Sequence, residues 1–536
     1  MKLKLLFCYC LFLYIKTIGA QPALHIIPEP VRIQQQMGTF SFAGKIAIHF
    51  DENVNRLQKI AALMKSHFNN KDVRFRFNGN SEKNIYFKIE NSATLENEEG
   101  YQLSVTTEKI IISAPNVKGI FYGLQTLFQA ADENNIVPCL DISDYPQYAW
   151  RGFMLDVSRH FFTVEEIKQL LNIMAMYKMN TFHWHLCDDQ GWRLQIKKYP
   201  RLTSVGAWRE EIPGGIFYSK HNDTLTGKPY KYGGFYTQAE ARDIVKYAAE
   251  RNITVIPEIE IPGHSAAALA AYPEYSCSQK PQKVVNSIGY PQGIQCEYNP
   301  GNPATFTFLE NILKEVMDIF PSEYIHIGGD EVEKTHWKNS ASCQALMKRE
   351  GLKNEEELQS YFINRIDKFI EKNGRKPIGW DETLEGNLLP SATVMYWRPS
   401  AKAAPLKAVS EGHPFINACA DPLYFNRYQA DPKTEPLAAP HSINTLEKVY
   451  NFSITPGNFS AKQIELVKGG ECAIWTEFFS TASELQYMLL PRLLALSENL
   501  WTPKKEKNYL EFYKKLPAQL KSLGKKGYNF RALDKH

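Results

Sequence analysis

The feature that most constrains this chain is a rhythm of short apolar runs and helical segments that begins at Arg151. Each run has the length of a buried strand, and a segment with helical apolar spacing follows most of them. Eight such units are typical of a (β/α)8 TIM barrel, whose strands are apolar throughout because helices cover them. The strand-like runs are residues 152–157, 181–186, 254–259, 324–329, 377–380, 393–397, 414–419 and 471–475. The helices are predicted at residues 164–177, 238–251, 303–320, 355–372, 401–409 and 482–500, with 460–468 as the candidate between the last two strands.

The chain before the barrel has a different pattern. Short β-type runs at 45–50, 84–89, 101–105 and 109–113 are mixed with helical stretches at 55–68 and 119–131, which is typical of a small α+β domain. Residues 137–150 contain two prolines and are predicted to be a connector. We therefore predict an N-terminal α+β domain at 21–145, a barrel at 146–502 and a C-terminal helical tail at 503–536 packed on the barrel.

The first twenty residues are typical of a secretory signal peptide. Lys2 and Lys4 precede an apolar run at residues 5–15, and Ala20 is a small residue suited to cleavage. The alternative is a membrane anchor, but eleven apolar residues are short for a bilayer span. We expect residues 1–20 to be removed and the protein to be exported, to a periplasm or to the extracellular space.

Charge and cysteine content narrow the classes further. Without residues 1–20, which hold three lysines and no acids, the formal charge of +4 falls to +1, which indicates neither a nucleic acid nor an acidic membrane as partner. Seven cysteines follow, so at least one thiol is unpaired. Cys277 and Cys296 flank a loop rich in Pro, Gly, Gln and Asn and could form a disulfide in an oxidising compartment, but the sequence does not decide this.

Every predicted barrel strand leads into polar or aromatic residues suited to chemistry. The carboxyl ends of barrel strands build the active site of this fold. One polar strand end has a simple structural explanation, whereas eight that meet at one mouth favour a functional site. These residues are Asp156, Ser158, Arg159, His160, His183, His185, Asp188, Asp189, Glu258, Glu260, His264, His326, Asp330, Glu331, Trp380, Asp381, Glu382, Trp397, Tyr424, Trp475 and Glu477.

Two of these features indicate a sugar substrate. Trp380, Trp397 and Trp475 end three different strands, and aromatic faces pack against the apolar faces of a pyranose. Core packing explains any one tryptophan equally well. Asp330 and Glu331 offer two carboxyls at one strand end, as glycosidases require. Successive strand residues point to opposite faces, but a turn at the end of the strand lets such a pair converge.

At Gly328-Gly329-Asp330-Glu331 the sequence resembles glycoside hydrolase family 20, the β-N-acetylhexosaminidases. The resemblance covers almost the whole mature chain, with motifs in the family's order at residues 26–30, 119–127, 151–160, 183–193, 257–264, 326–331, 379–382, 396–398 and 475–477. It implies a retaining exo-enzyme that removes terminal non-reducing β-linked N-acetylglucosamine or N-acetylgalactosamine from oligosaccharides or glycoconjugates, without a metal or cofactor.

The resemblance also implies a mechanism in which the substrate assists. The acetamido oxygen attacks the anomeric carbon and gives an oxazolinium intermediate, an exception to the two-carboxylate scheme. Glu331 is then the general acid and later the base, and Asp330 orients the acetamido nitrogen. Arg159 matches an arginine that binds the C3 and C4 hydroxyls, although a structural salt bridge is an alternative. His264 matches a histidine that is linked to the catalytic glutamate through Asp188 or Asp189. The remaining matches are Trp380, Trp397 and Trp475 as pocket walls, Tyr424 on the acetamido oxygen and Glu477 near the C4 and C6 hydroxyls.

The chain departs from the family at one position. The family reads Tyr-Leu-Asp where this sequence reads Tyr424-Phe425-Asn426. Asn426 brings no charge to the outer hydroxyls, so either its amide binds them or the family's tyrosine corresponds to another residue. The preference between the two sugars stays open for the same reason.

Three other functions remain. His183-x-His185 has the spacing of metal ligands, with Asp188, His264 and His326 as further candidates, but the same residues could form a polar layer inside the barrel. A non-catalytic glycan-binding barrel is a second alternative, and the intact Asp330-Glu331 pair weighs against it. An ordinary two-carboxylate glycosidase is the third.

Overall fold

The computed structural model describes residues 23–51, 53–69, 72–90, 97–211, 230–288 and 293–534. The predicted signal peptide therefore lies outside the described residues. The described chain forms a seven-stranded sheet followed by a closed eight-stranded parallel barrel, as predicted.

The N-terminal unit is a mixed sheet with two helices. Its strand order is β1-β7-β5-β6-β4-β2-β3. Helix α2 is buried along nearly its whole length, and the side chain of Asn116 accepts a hydrogen bond from the Lys118 N–H at its start. The elements are β1 (Arg32–Ser41), β2 (Gly44–His49), α1 (Asn55–His67), β3 (Val73–Phe77), β4 (Lys83–Ile89), β5 (Tyr101–Val105), β6 (Lys109–Ala114), α2 (Val117–Ala130) and β7 (Ile136–Asp144).

The predicted connector at 137–150 is wrong over most of its length. Eight of its fourteen residues, 137–144, belong to β7, which lies between β1 and β5 in the sheet. Pro138 has no N–H to donate, and the register of the β1–β7 pair shifts between Gln35 and Thr39, the residue opposite Pro138. This irregularity lets a proline-containing strand stay inside the sheet.

The barrel contains all eight predicted strands, each parallel to its neighbours. It closes where the last strand pairs with the first, with Glu471 opposite Gly152. The strands are β8 (Trp150–Asp156), β9 (Thr181–His185), β10 (Thr254–Glu258), β11 (Tyr324–His326), β12 (Lys376–Trp380), β13 (Thr393–Tyr396), β14 (Phe415–Asn417) and β15 (Val467–Ile474).

Five of the predicted outer helices begin at the predicted residue, the helix predicted from residue 401 begins at Ala404, and two further corrections follow. The predicted helix 482–500 is two helices, because Pro491 cannot donate an N–H to a continuous ladder. The predicted helix 460–468 is a single turn at Ala461–Ile464, since β15 begins at Val467. The helices are α3 (Val164–Met176), α4 (Gln238–Ala249), α5 (Pro303–Ile319), α6 (Ala341–Glu350), α7 (Glu355–Lys372), α8 (Ala404–Ser410), α9 (Ala482–Leu489), α10 (Arg492–Trp501) and α11 (Tyr509–Lys525).

Shorter elements occupy the loops. The helical turns are Arg201–Ser204, Ala266–Ala271, Pro273–Tyr275, Thr335–Asn339, Asp381–Glu385, Ala420–Leu423, Leu446–Asn451 and Lys504–Glu506. Three small strand pairs are Cys187–Asp188 with Gly191–Trp192, Trp208–Glu211 with Tyr230–Gly233, and Arg427–Tyr428 with Ala439–Ile443.

Helix α11 joins the two units. Gln519 on this helix accepts a hydrogen bond from the Tyr177 hydroxyl, beside the barrel, and donates to Gln129 of the N-terminal unit. Within the described ranges, no helix combines the length and apolar character needed to cross a membrane.

Candidate active site

A sharp turn after β11 brings Asp330 and Glu331 together. Gly328 and Gly329 have φ of 69° and 93°, and Glu331 has φ of 46°, a value that is rare outside glycine. The turn aims both carboxyls at one atom: Asp330 Oδ2 lies 3.8 Å and Glu331 Oε2 3.5 Å from His264 Nε2. The predicted convergence of the two acids is confirmed.

His264 connects these acids to a second pair. Its Nδ1 lies 3.1 Å from Asp188 Oδ1 and 3.3 Å from Asp189 Oδ2. The sequence predicted that Asp188 or Asp189 links His264 to Glu331, which is wrong, because the imidazole itself lies between the aspartates and Glu331 and contacts both sides. His264 also has a positive φ, 46°, so strained backbone occurs on both sides of this contact.

Arg159 lies at the end of β8 with its guanidinium held on three sides. Its Nη1 is 2.8 Å from Asp188 Oδ2, and its Nε donates to Gln190 Oε1 at 2.8 Å. The guanidinium lies over the Trp475 ring, 5.1 Å from the centroid. The salt bridge is therefore present, and it also fixes the guanidinium beside a predicted pocket wall. Gln190 was missed in the sequence, where a neutral side chain beside two aspartates gave no signal.

The predicted pocket aromatics are close neighbours. The rings of Trp397 and Tyr424 are parallel, 7° apart, with centroids at 6.1 Å. Trp475 lies 6.0 Å from Tyr424 and 6.2 Å from Trp380. Tyr424 takes this place because it bridges to Ala473 of β15. Tyr424, which the resemblance matches to the family's tyrosine, thus lies among the three tryptophans.

Hydrogen bonds fix two of these rings. Trp397 Nε1 donates to Glu382 Oε2 at 2.9 Å, and Trp380 Nε1 donates to Glu258 Oε1 at 3.0 Å. Burial raises the pKa of Glu382 to about 8, with the Asp330 charge acting in the same direction. Glu382 is thus a neutral acid near pH 7 that accepts from the indole.

Two buried side chains that the sequence associates with the sugar's outer hydroxyls each have an oxygen that is unpaired within the described ranges. Glu477 Oε2 and Asn426 Oδ1 have no hydrogen-bond partner among the described residues. Burial raises the pKa of Glu477 to about 7, against the opposing charge of Arg159. Buried polar atoms normally find partners, so these two are suited to ligand hydroxyls.

The two adjacent acids differ in proton affinity. Burial raises the pKa of Asp330 to about 7, and the charge of Glu331 adds to the effect. A hydrogen bond from His264 lowers the pKa of Glu331 despite partial burial. Burial alone would lower the pKa of His264, but Asp188 and its other partners raise it well above the usual value. In the free protein, Asp330 therefore holds a proton at a higher pH than Glu331 does.

A polar layer inside the barrel supports this site from below. Glu258 is its centre: Glu258 Oε2 contacts His183 Nε2 at 3.1 Å and also bonds His185 Nδ1, and Glu258 Oε1 lies 2.8 Å from His326 Nδ1. His185 Nε2 continues to Asp188 at 2.9 Å. The interior layer proposed as one interpretation of these histidines is therefore present.

Glu471 is a member of this layer that sequence reasoning missed. Its Oε1 lies 2.7 Å from His183 Nδ1, and its Oε2 accepts from Trp150 Nε1. An acid within an apolar strand run was the available signal. The carboxylates overcome burial and raise the pKa of His183 to about 9.

The same residues include the sets with metal-like spacing. Among the described residues, three groups of donors lie within 4.8 Å of one another: His183-Glu258-His326, His185-Glu258-Glu260 and Asp188-Asp189-His264. In each group the imidazole already faces a carboxylate, which gives the histidines partners without an ion.

Comparisons with known proteins assign both units of the chain to one family. The profile of the glycosyl hydrolase family 20 catalytic domain matches residues 148–504, and that of the family's domain 2 matches residues 23–145. A beta-hexosaminidase of Porphyromonas gingivalis is 39% identical over 522 residues, which are 95% of this chain and 64% of that protein. The chain thus spans less than two thirds of that relative.

Two solved structures are similar over nearly the whole chain. A family 20 exo-β-N-acetylglucosaminidase from Vibrio harveyi, in complex with N-acetylglucosamine, has a TM-score of 0.82 at 32% identity and covers 96% of this chain and 80% of its own. A β-N-acetylhexosaminidase from Bacteroides fragilis has a TM-score of 0.80 at 32% identity, with 94% and 96% covered. With its catalytic-domain match over most of its length, this chain belongs to glycosyl hydrolase family 20.

Proposed function

We propose that the protein is an exo-acting, retaining β-N-acetylhexosaminidase that hydrolyses terminal non-reducing β-linked N-acetylglucosamine or N-acetylgalactosamine. The observation that carries the proposal is the convergence of Asp330 and Glu331 on His264 beside four aromatic rings. A buried carboxyl at an aromatic-walled pocket suits an acetamido group, whose methyl packs on the rings while its N–H meets the acid.

Asp330 is placed to act on the substrate's acetamido nitrogen. Its Oδ1 is buried without a hydrogen-bond partner among the described residues, so an N–H donor would satisfy it. Burial raises the pKa of Tyr424, and the charge of Asp330 acts in the same direction. As the acetamido oxygen attacks the anomeric carbon, positive charge develops on the nitrogen, and an ionised Asp330 stabilises that charge most in the transition state.

The proton needed by the leaving oxygen reaches Glu331 when substrate binds. The acetamido N–H favours ionised Asp330, while the aglycone displaces water from Glu331, whose side chain is half exposed, and raises its pKa. His264 Nε2 contacts both carboxyls and provides the path for the exchange. Glu331 then donates to the leaving oxygen and afterwards accepts a proton from water.

Arg159, Glu477 and Asn426 are proposed to bind the sugar's outer hydroxyls. Arg159 offers a rigid fork of donors suited to two neighbouring oxygens. Glu477 and Asn426 contribute buried oxygens without partners among the described residues. A neutral amide in place of a second carboxylate gives this end both a donor and an acceptor.

A panel of aryl glycosides tests the proposal. We expect rapid cleavage of β-N-acetylglucosaminide or β-N-acetylgalactosaminide, inhibition by a thiazoline that mimics the oxazolinium ion, and anomeric retention. Efficient cleavage of a plain β-glucoside, or an ester between enzyme and sugar, would favour the ordinary two-carboxylate scheme. Loss of activity in chelator would favour the metal-dependent alternative.

A variant separates catalysis from binding alone. Glu331→Gln should bind a chitobiose-like ligand and turn it over at least about 100-fold more slowly, because the amide cannot donate the acid's proton. Unchanged turnover would contradict the assignment of Glu331 and leave a different acid to be found.

We also propose that the protein is exported after cleavage behind Ala20. The basic start, short apolar run and small residue at the cleavage position support this. Mass spectrometry of the native protein should find an N-terminal peptide that begins at Gln21, as glutamine or as its cyclised pyroglutamate, and an intact N-terminus at Met1 would contradict export by this route.

A further inference from the structure

Outside the active site, two cysteines lie within reach of each other. Cys277 Sγ is 3.8 Å from Cys343 Sγ, although 66 residues separate them in sequence. Both are thiols in this structure. A disulfide joins sulfurs at about 2.05 Å, so the two atoms need to approach by roughly 1.8 Å, a distance that side-chain rotation can supply.

Cys343 occupies a position that favours a thiolate. It lies in the first turn of α6, where Ser340 caps the helix and accepts from the Cys343 N–H. A hydrogen bond from Cys277 lowers the pKa of Cys343 to about 7, against its burial. Thiols at helix N-termini commonly gain reactivity in this way.

The turn that precedes α5 holds this helix start in place. Asn299 Oδ1 accepts from the Gly301 N–H at 2.9 Å and from Cys343 Sγ at 3.2 Å. A Cβ on Gly301 would lie 2.3 Å from the Ser342 carbonyl carbon, so the two backbones are in direct contact. Cys343 is therefore fixed where Cys277 can meet it.

The other cysteine of this region has different neighbours. Cys296 packs against Ala266 and Val285, and its thiol lies beside Asp189, whose charge together with burial raises its pKa. The sequence left a Cys277–Cys296 bond open, but the structure places Cys343, not Cys296, at 3.8 Å from Cys277.

We propose that Cys277 and Cys343 form an intramolecular disulfide in an oxidising compartment. The half-buried Cys277 thiol gives its proton to the Cys343 thiolate and attacks an external disulfide, such as oxidised glutathione, which expels one thiolate. The expelled thiolate takes that proton from Cys343, and the Cys343 thiolate then attacks Cys277 Sγ and expels the second thiolate. Each cysteine loses one proton and one electron, and the external disulfide becomes two thiols.

The bond would tie together the two loops that carry the catalytic groups. Cys277 lies thirteen residues after His264, and Cys343 lies twelve residues after Glu331. Closing a long loop restricts the unfolded chain, so the oxidised protein should resist unfolding more than the reduced protein. We expect its Tm to be higher by about 3–5 °C.

Peptide mapping tests the bond directly. The full chain is reduced, desalted, incubated under native conditions with oxidised glutathione, alkylated and digested without reductant. We expect a cross-linked peptide pair containing Cys277 and Cys343, and the higher Tm. Cys296→Ser should keep the cross-link. Cys343→Ser should lose both the cross-link and the Tm increase.

Three outcomes would overturn the proposal. They are alkylation of both cysteines after oxidation, a Cys277–Cys296 peptide in the unsubstituted chain, and a stable glutathione adduct on Cys277 with Cys343 still free. Because the mapping uses the unsubstituted protein, the test does not depend on whether either variant folds.

Discussion

In the free protein the two adjacent acids, Asp330 and Glu331, differ in proton affinity. Burial raises the pKa of Asp330 to about 7, and a hydrogen bond from His264 lowers that of Glu331. Below about pH 7 the pair keeps the proton that the leaving oxygen needs, and above it the pair loses that proton. We therefore expect kcat/KM for chitobiose to fall as pH rises through about 7.

Asp330→Asn tests the origin of this limb. The amide holds no titratable proton, so the alkaline limb should move to lower pH, toward the pKa of Glu331, and kcat/KM at the optimum should fall by roughly 100-fold. Glu333→Gln, two residues beyond Glu331, is the control and should keep the limb near pH 7. A limb unchanged in Asp330→Asn would mean that another group supplies the proton.

Glu382 is predicted to position Trp397. Because burial raises its pKa to about 8, glutamine closely matches its neutral form, and its carbonyl can still accept from Trp397 Nε1. Glu382→Gln should keep kcat/KM within about threefold. Glu382→Ala leaves the partly buried indole N–H of Trp397 unpaired and should lower kcat/KM about tenfold. Equal losses in both variants, measured with chitobiose, would show that the hydrogen bond is not what matters.

At the scale of elements, the turn after β11 decides whether the site forms. A Cβ on Gly328, which has φ of 69°, would lie 1.9 Å from Glu260 Oε2. Gly328→Ala should therefore displace Asp330 and Glu331 and lower kcat/KM at least about 100-fold. Gly351, at the end of α6, has nearly the same φ, 68°, with nothing within 4 Å. Gly351→Ala should cost only about 1 kcal/mol of stability and leave kcat/KM unchanged. Similar losses of activity in both would show that φ alone is responsible.

The elements also show what the sequence could predict. The barrel strands were predictable because a covered parallel strand is apolar at every position, and their order follows from the chain. The six-residue run at 324–329 yielded a strand of only three, because Gly328 and Gly329 leave the extended region. Strand β7 was missed because Pro138 indicated a loop. Only the register of the folded sheet shows that the neighbouring strand β1 accommodates this proline.

The residues of the site also differ in whether the sequence alone could reveal them. The acids and aromatics at the strand ends were found because such groups rarely lie together at one barrel mouth. The contacts between side chains were not predictable. Glu471 and His183, for example, lie 288 residues apart in sequence and meet only where the barrel closes. Which of two adjacent carboxyls holds the proton depends on burial and on His264, and neither is visible in a motif.

At the scale of the whole molecule, a buried ion pair joins the N-terminal sheet to the barrel. Lys178 Nζ, after α3, lies 2.9 Å from Asp144 Oδ2 at the end of β7, and both side chains are fully buried. Asp144 also accepts from the Tyr101 hydroxyl and from Trp501 Nε1 at the end of α10. The ammonium lies 4.3 Å from the centroid of the Trp501 ring. The two units therefore share a desolvated polar contact that neither can satisfy alone.

Removing one member of that pair should uncouple the unfolding of the two units. Lys178→Met leaves the Asp144 charge buried without its cation. This should lower the free energy of unfolding by about 3–5 kcal/mol, and the loss weakens the interface between the units. Lys59 and Glu250 form an ion pair across the same interface, but their side chains are 52% and 38% exposed, so Lys59→Met should cost under about 1 kcal/mol. Calorimetry should show one unfolding transition for the unsubstituted protein and for Lys59→Met, and an earlier or split transition for Lys178→Met. If both variants behave alike, the buried Lys178–Asp144 pair does not couple the sheet to the barrel.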